Sequence, residues 1–271
     1  MSKLKPSSKI YISLIILFLY APIIVLIFFS FNEANSTSVF TGFSLKWYKE
    51  LLNDTDTILA LKNTLVLAFS SSVIATILGT AAAVGINAMR VKPLKTAVLT
   101  TTNIPMMNPD IVTGVSMMLL FVFAARLVGV TGVLGFTTLL IAHITFNLPY
   151  VILSILPKFR QMDKHLSEAA QDLGCTPVQA FFRVILPSIM PGIFTGFIMS
   201  FTLSLDDFVI SYFTSGPEFQ TLPIRIFAMT KKRVTPDIYA LSTILFFAIL
   251  FLLILVNVSQ KKGDTKKEKG M

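Results

Sequence analysis

The sequence contains little cysteine, histidine or charge for its length. Of its 271 residues, one is cysteine, two are histidine and 14% are charged. The single cysteine, Cys175, excludes a disulfide framework. His143 and His165 have no metal-ligand spacing around them, so neither a metal site nor a cofactor is predicted. The chain also lacks a Walker A sequence and a convergent set of nucleophile, acid and histidine. This excludes ordinary ATP binding and predicts no catalytic residue.

The net charge is positive, but its distribution does not indicate a nucleic-acid partner. The formal charge is +9 and the pI is near 9.7. The basic residues cluster at the ends of apolar segments, whereas a nucleic-acid surface needs a stripe or patch of them. No aromatic–basic RNA motif accompanies them. Nucleic acid is therefore excluded as a partner.

Apolar residues are abundant and occur in long runs. Hydrophobic residues make up 54% of the chain and the mean hydropathy is +0.76, which is typical of a multi-span membrane protein surrounded by lipid. The uncharged run 10–31 would extend roughly 33 Å as a helix, enough to cross a bilayer. We therefore predict an all-α integral membrane protein with six transmembrane helices. The predicted spans are residues 10–31, 64–89, 97–125, 134–156, 188–213 and 239–258.

The basic residues also predict how the chain is oriented. Lys and Arg are in excess on the segments that are cytoplasmic when both termini lie inside, which favours an N-in/C-in arrangement. This divides the chain into a cytoplasmic N-terminus (1–9), one transmembrane domain (10–258) and a disordered basic cytoplasmic tail (259–271). The basic cluster Lys231-Lys232-Arg233 would lie outside the cell in this arrangement, against the excess of Lys and Arg inside. Either the positive-inside rule is weak for a late loop, or the cluster contacts an acidic partner outside.

A polar stretch, Asp163–Pro187, interrupts the apolar chain between the fourth and fifth predicted spans; we call it the hook. It predicts two short helices with a sharp break. Asp163 can cap the first helix, and Gly174 can end it in the left-handed conformation. Thr176 begins the second, with Gln179 three residues later as a capping box, and Pro187 stops it. The hook is too short and polar to cross a bilayer, so we expect it to lie at the membrane surface.

The hook resembles the EAA loop of bacterial ABC importer permeases, whose pattern is EAA-x3-G-x9-I-x-LP. One position departs from that pattern, because Val184 stands where isoleucine is usual. The resemblance implies a cytoplasmic loop that docks into a groove of an ATP-hydrolysing partner. It also implies ATPase-coupling roles for the matching residues. These are Glu168, Ala169, Ala170, Gly174, Leu186 and Pro187.

Acidic residues inside the predicted spans indicate what passes through them. Asp110, Asp206 and Asp207 lie at membrane depth, where an ionised group is costly unless it has a partner or lines a wet path. A path with carboxylates suits a cation, and Tyr150 could pack against such a cation through its ring. We therefore assign these four residues to a candidate substrate path.

Structural roles for the same acids stay open. Asp110 follows Asn108-Pro109 and can begin a helix, offsetting the helix dipole. One of Asp206 and Asp207 can pair with Arg225 or cap a break in the fifth span.

Further segments are similar to one of the two permeases of bacterial spermidine/putrescine importers. They are Gly42-Phe43, Lys46-Trp47-Tyr48, Met106–Val112, His143–Phe146, Ser200–Asp207 and Thr214–Pro217. The resemblance implies a non-enzymatic, multi-pass subunit of the bacterial cell membrane. Its implied partners are an ABC ATPase dimer, a second homologous permease and an extracytoplasmic polyamine-binding protein. The alternatives are an importer permease for ferric iron, thiamine or an opine, and a secondary cation transporter.

Overall fold

The computed structural model describes residues 6–36, 39–163, 165–231 and 236–268. Within these ranges the chain is helical, apart from loops and an isolated antiparallel bridge between Asn32 and Phe43. The helices are α1 (Pro6–Phe29), α2 (Lys46–Asn53), α3 (Thr55–Ala88), α4 (Lys92–Met107), α5 (Asp110–Val128), α6 (Phe136–Gln161), α7 (Leu166–Asp172), α8 (Pro177–Ala180), α9 (Leu186–Asp206), α10 (Val209–Thr214), α11 (Leu222–Thr230) and α12 (Pro236–Glu268). The all-α prediction is confirmed for the described residues.

Five helical segments of the described chain are long and apolar enough to cross a membrane. They are Ser8–Phe29, Thr55–Ala88, Asp110–Val128, Phe136–Gln161 and Pro177–Asp206. A shorter apolar segment, Pro236–Phe251, lies in the first half of α12. The third predicted span, 97–125, is divided between α4 and α5 because Asn108 is extended, with φ −77° and ψ 141°. Pro109 disfavours the helical conformation for the residue before it, so the helix ends there.

The sequence predicts that the second helix of the hook stops at Pro187, but in the structure it continues past this residue. A π-helical turn, Phe181–Ile185, joins α8 to α9. In this turn the Leu186 N–H donates to the Phe181 carbonyl five residues back. The wider turn lets the helix pass Pro187, which has no N–H to donate and would crowd a regular α-helix. The hook therefore continues directly into a candidate span.

The end of the chain also differs from expectation. Helix α12 continues to Glu268 over residues that the sequence predicts as a disordered tail. A helix propagates more easily than it nucleates, so α12 extends past its apolar part into these residues. Residues 269–271, and Lys232 and Arg233 of the opposing basic cluster, lie outside the described residues.

The chain divides into two compact units, one of which joins residues up to Leu59 with Arg225–Ile249. In this unit the side chain of Asn32 organises a loop. Its Nδ2 donates to the carbonyls of Ser36 and Val39, both at 2.8 Å, and its Oδ1 accepts from the Thr41 N–H at 2.9 Å. Its carbonyl accepts from the Trp47 indole at 2.6 Å, so Trp47 is buried against the loop.

The other unit contains Ala60–Ile224 and is built around α6. Helix α9 packs along α6, and α3 packs on the same core through small residues. A Cβ added at Gly79 of α3 would lie 2.6 Å from Val151 Cγ1, and one at Gly192 of α9 would lie 3.2 Å from Ile155 Cα. Because lipid gives helices no hydrophobic reason to associate, such close approach supplies much of their packing energy.

Candidate functional site: the hook and the transmembrane acids

The first half of the hook has the conformation that the sequence predicts. Helix α7 ends before Gly174, whose φ is +88°. The Gly174 N–H donates to the Gln171 carbonyl at 2.9 Å, and the Cys175 N–H donates to the Ala170 carbonyl at 3.1 Å. These bonds satisfy carbonyls that would otherwise be orphaned at the helix end. A Cβ at position 174 would meet nothing within 4 Å, so glycine is required by the backbone angle and not by space.

The second half of the hook begins with the predicted capping box. Thr176 Oγ1 accepts from the Gln179 N–H at 3.3 Å, and Gln179 Oε1 accepts from the Thr176 N–H at 3.1 Å. Asp163 also acts near its predicted position, since its Oδ1 accepts from the His165 N–H at 2.9 Å just before α7. Local hydrogen bonds therefore fix both helix starts in the hook.

The exposed surface of the hook combines apolar and charged side chains. Leu173, Val178 and Phe182 are 87%, 66% and 60% exposed. Glu168 is exposed and lies 2.9 Å from His165 Nδ1. Three exposed apolar side chains on a short polar segment are typical of a surface that another protein covers.

Asp110 and Tyr150, assigned separately to the candidate path, lie close enough to interact electrostatically. Asp110 is the first residue of α5 and is exposed, so its carboxylate also offsets the positive end of the helix dipole. Tyr150 belongs to α6 and is half-buried. These two residues of the predicted path therefore lie within electrostatic range of each other.

The other two acids lie where α9 and α10 meet; we call residues 206–208 the joint. Asp206 is the last residue of α9 and is exposed. The Asp207 backbone is extended, and its carboxylate caps α10 by accepting from the N–H groups of Ile210 at 3.3 Å and Ser211 at 2.8 Å. The expectation that one of these acids caps a break is confirmed for Asp207.

The alternative pairing of these acids with Arg225 is wrong. Arg225 binds Asp54 at 3.2 Å and Asp56 at 3.4 Å. Burial by itself raises the pKa of Asp54, but hydrogen bonds from Thr57 and Arg225 and the Arg225 charge outweigh it, so the pKa is lowered. Asp54 and Arg225 lie outside the candidate spans, and their ion pair fixes the segment between α2 and α3.

A buried polar cluster that the sequence does not reveal surrounds the joint. His143 of α6 is 1% exposed; its Nδ1 lies 3.1 Å from Ser204 Oγ, and its Nε2 lies 3.0 Å from Ser211 Oγ and 3.4 Å from Asp207 Oδ2. Asn147 Nδ2 donates to Ser204 Oγ at 2.7 Å. The sequence contained one signal for this cluster, which was helical spacing. His143 and Asn147 are four residues apart, and Ser204, Asp207 and Ser211 recur every three to four residues, which is the spacing of one helix face in each set.

Among the residues that the structure describes, no three His, Cys, Asp or Glu side chains converge to hold a metal ion. The polar cluster contains one carboxylate, one imidazole, one amide and several hydroxyls. Such a set can form hydrogen bonds in a fixed order and can hold a backbone break in place.

Comparison with known proteins gives one family. Residues 75–267 match the family described as the binding-protein-dependent transport system inner membrane component. The chain is 40% identical over 232 residues to the putrescine transport system permease protein PotI of Escherichia coli (strain K12), covering 86% of this chain and 83% of that protein. It is also 40% identical over 247 residues to the spermidine/putrescine transport system permease protein PotC of Haemophilus influenzae, covering 91% and 93%.

Solved structures share the fold. A bacterial ABC transporter involved in the import of the acidic polysaccharide alginate superposes with a TM-score of 0.72, covering 96% of this chain and 94% of that chain at 18% identity. The same kind of transporter, in complex with an alginate pentasaccharide-bound periplasmic protein, gives a TM-score of 0.69 over 93% of this chain and 91% of that chain at 18% identity.

Proposed function

Because the chain belongs to the family of binding-protein-dependent transport system inner membrane components, and is therefore a multi-pass ABC importer permease and not an enzyme, we propose that it moves polyamines into the cell. The observation that carries the proposal is 40% identity, over most of both chains, to permeases named for putrescine and spermidine. The acids Asp110 and Asp206 agree with it, since a polyamine is a flexible polycation.

The proposed topology has six spans with both termini in the cytoplasm. Five are the candidate spans of the structure, and α12 supplies the sixth, beginning with its apolar segment Pro236–Phe251. The excess of Lys and Arg on the resulting inner segments supports this orientation. It places the hook in the cytoplasm and makes residues 10–258 one transmembrane domain.

The proposed partners follow from the hook and from the family. The hook docks into one subunit of an ABC ATPase dimer through Leu173, Val178 and Phe182. Its EAA residues, Glu168 to Ala170, and Gly174 set the shape of that surface, while Leu186 and Pro187 connect it to α9. A second homologous permease completes the pore, and an extracytoplasmic binding protein delivers the polyamine, as a periplasmic protein accompanies the alginate transporter.

The proposed substrate path includes Asp110, Tyr150 and the joint. Asp110 and Asp206 are exposed within this chain, so an ammonium group can reach either carboxylate. Tyr150 offers a ring and a hydroxyl within electrostatic range of Asp110. Asp207 belongs to the same joint, but its side chain is 7% exposed, so its contribution to the path is indirect.

Competition for uptake tests the proposed substrate. Cells that lack other polyamine importers and express this permease with its neighbouring transport subunits are given labelled spermidine. Excess putrescine should reduce uptake strongly, whereas ferric iron, thiamine and an opine should not. Competition by one of those three solutes and not by putrescine would replace the polyamine assignment. Uptake that persists without the partner ATPase would indicate a secondary transporter.

A further inference from the structure

The imidazole of His143 lies across the joint and contacts the helix on each side of it. On the α9 side, its Nδ1 lies 3.1 Å from Ser204 Oγ. On the α10 side, its Nε2 lies 3.0 Å from Ser211 Oγ and 3.4 Å from Asp207 Oδ2. One rigid ring of α6 therefore connects two helices whose backbones are interrupted between Asp206 and Val209.

Both helices pack on α6, and α10 packs on α5 as well. A Cβ at Gly196 of α9 would lie 3.2 Å from Val151 Cα of α6. A Cβ at Gly114 of α5 would lie 3.0 Å from the ring of Phe213 and 3.4 Å from the Cα of Ile210, both on α10. Helix α6 thus contacts both ends of the joint, and α5 packs closely on the α10 end, so a side chain of α6 is placed to fix the angle between α9 and α10.

We propose that His143 and Asp207 are positioning residues that hold the joint at one angle and thereby present the neighbouring Asp206 carboxylate to the substrate path. Asp207 acts through the joint and does not touch the polyamine. The proposal rests on the proposed function for its transport consequence, but the contact between His143 and Asp207 can be tested without any substrate.

The hydrogen bonds of the cluster form a consistent order. Asn147 Nδ2 donates to Ser204 Oγ at 2.7 Å, and Ser71 of α3 lies 3.0 Å from the same oxygen. If Ser204 donates to His143 Nδ1, then His143 Nε2 carries the proton and donates toward Asp207 Oδ2. His143, Ser204 and Asp207 then each have a partner of the right kind, whereas Asn147 Oδ1 is buried without one; satisfied groups matter here because an unmade hydrogen bond is costly when buried.

Burial separates the roles of the two neighbouring acids. The Asp207 side chain is 7% exposed and its oxygens accept from two backbone N–H groups of α10 as well as facing His143. Little of the carboxylate remains open to an incoming cation. Asp206, one residue earlier, is exposed. Holding Asp207 inward is therefore what turns Asp206 outward at the end of α9.

The test is a double-mutant cycle in the purified transport complex, reconstituted with its ATPase, partner permease and binding protein. The variants are His143→Gln, Asp207→Asn and their combination, which can replace the imidazole–carboxylate contact by an amide–amide hydrogen bond. His143→Leu removes both contacts of the ring. Thr145→Ala is the control, since Thr145 is exposed on the same helix and its hydroxyl donates to the Ile141 carbonyl of that helix.

Two quantities are measured: the Tm of the complex, and the KM and Vmax for labelled spermidine. We expect the Tm losses of the two single variants to exceed that of the combination, His143→Leu to lower Vmax, and Thr145→Ala to change neither. The combination should keep a KM within about threefold of the wild type, a difference below about 1 kcal/mol.

Additive Tm changes in the cycle would overturn the proposed contact. A KM raised by Asp207→Asn as much as by Asp206→Asn, without recovery in the combination, would show that the Asp207 carboxylate binds substrate and would overturn the positioning role. If the wild-type complex imports no spermidine, the proposed function fails, while the Tm cycle still decides whether His143 and Asp207 hold the joint.

Discussion

Asp206 and Asp207 are consecutive, yet Asp207 is turned inward against His143, 3.4 Å away, whereas Asp206 is exposed at the end of α9. The difference arises because α9 ends at Asp206 and Asp207 caps α10. Two carboxylates that look equivalent in the sequence therefore have different environments. In the transport account, Asp206 contacts the polyamine and Asp207 holds the joint.

The first prediction concerns Asp206. Asp206→Asn removes an exposed negative charge from the candidate path without changing the size of the side chain. We expect the KM for spermidine to rise about tenfold, corresponding to roughly 1.4 kcal/mol of lost attraction, with the ATPase rate of the complex unchanged. Glu50→Gln, an exposed acid on α2 beside Lys46, is the matched control. An unchanged KM for Asp206→Asn would remove this residue from the path.

A second prediction concerns Gly174, where the constraint is conformational. A non-glycine residue at a left-handed φ costs on the order of 1–3 kcal/mol, and Asn tolerates it better than a β-branched residue does. Gly174→Val should therefore distort the hook and increase the ATP hydrolysed per polyamine imported, while Gly174→Asn should stay near the wild type. Equal coupling in the two variants would show that the backbone angle at Gly174 does not matter for docking.

A third prediction compares two glycines of α3. A Cβ at Gly79 would come within 2.6 Å of Val151, whereas one at Gly85 would meet nothing within 4 Å. Gly79→Ala should destabilise the protein by about 1–3 kcal/mol through overpacking. Gly85→Ala should be neutral or stabilising by roughly 0.5–1 kcal/mol, because alanine is the better helix former. The Tm of each variant is the measurement. An equal loss of Tm in Gly79→Ala and Gly85→Ala would contradict the close contact of α3 with α6.

A fourth prediction uses the lowered pKa of Asp54. A carboxyl whose pKa is lower in the folded state stabilises the fold above its unfolded pKa, and that contribution is lost as the pH falls through the folded value. Arg225→Gln should therefore lower the Tm by the same amount from pH 5 to pH 8. The difference from the wild type should shrink below about pH 4, the ordinary range of Asp. A penalty for Arg225→Gln that persists unchanged at pH 3 would show that the charge of Asp54 is not its cause.

A fifth prediction uses the single cysteine as a reporter of sidedness. Cys175 lies in the hook and is half-buried, and the chain contains no other thiol. A membrane-impermeant maleimide should label it in inside-out vesicles and leave it unlabelled in sealed right-side-out vesicles. Cys175→Ser supplies the blank, and Lys46→Cys in that background, at an exposed position that the proposed topology puts outside, should show the opposite sidedness. Labelling of Cys175 from outside would reverse the proposed orientation.

Local signals in the sequence predicted local structure well. Gly174, the Thr176–Gln179 capping box and the break at Asn108-Pro109 each depend on neighbouring residues, and the structure has all three features. The passage of the helix through Pro187 was not predicted, because a π-helical turn before a proline leaves no compositional mark.

Contacts between distant residues could not be read from the sequence. His143 lies 61 residues from Ser204 and 68 from Ser211, and no periodicity connects them across separate helices. A hydropathy window also averages over the joint, so α9 and α10 appear as one span although the backbone breaks at Asp207. The pairing of Arg225 with Asp54 likewise joins residues that are distant in the sequence.

ATP-dependent accumulation of polyamine is the measurement that tests the central claim most directly. Proteoliposomes contain this permease, its partner permease and the ATPase, with the binding protein and labelled spermidine on the outer side and ATP inside. The account predicts that spermidine accumulates above its outside concentration with ATP and only equilibrates slowly without it or with a hydrolysis-deficient ATPase. Accumulation that is independent of ATP, or its absence for spermidine and putrescine alike in an assembled complex that hydrolyses ATP, would contradict the account.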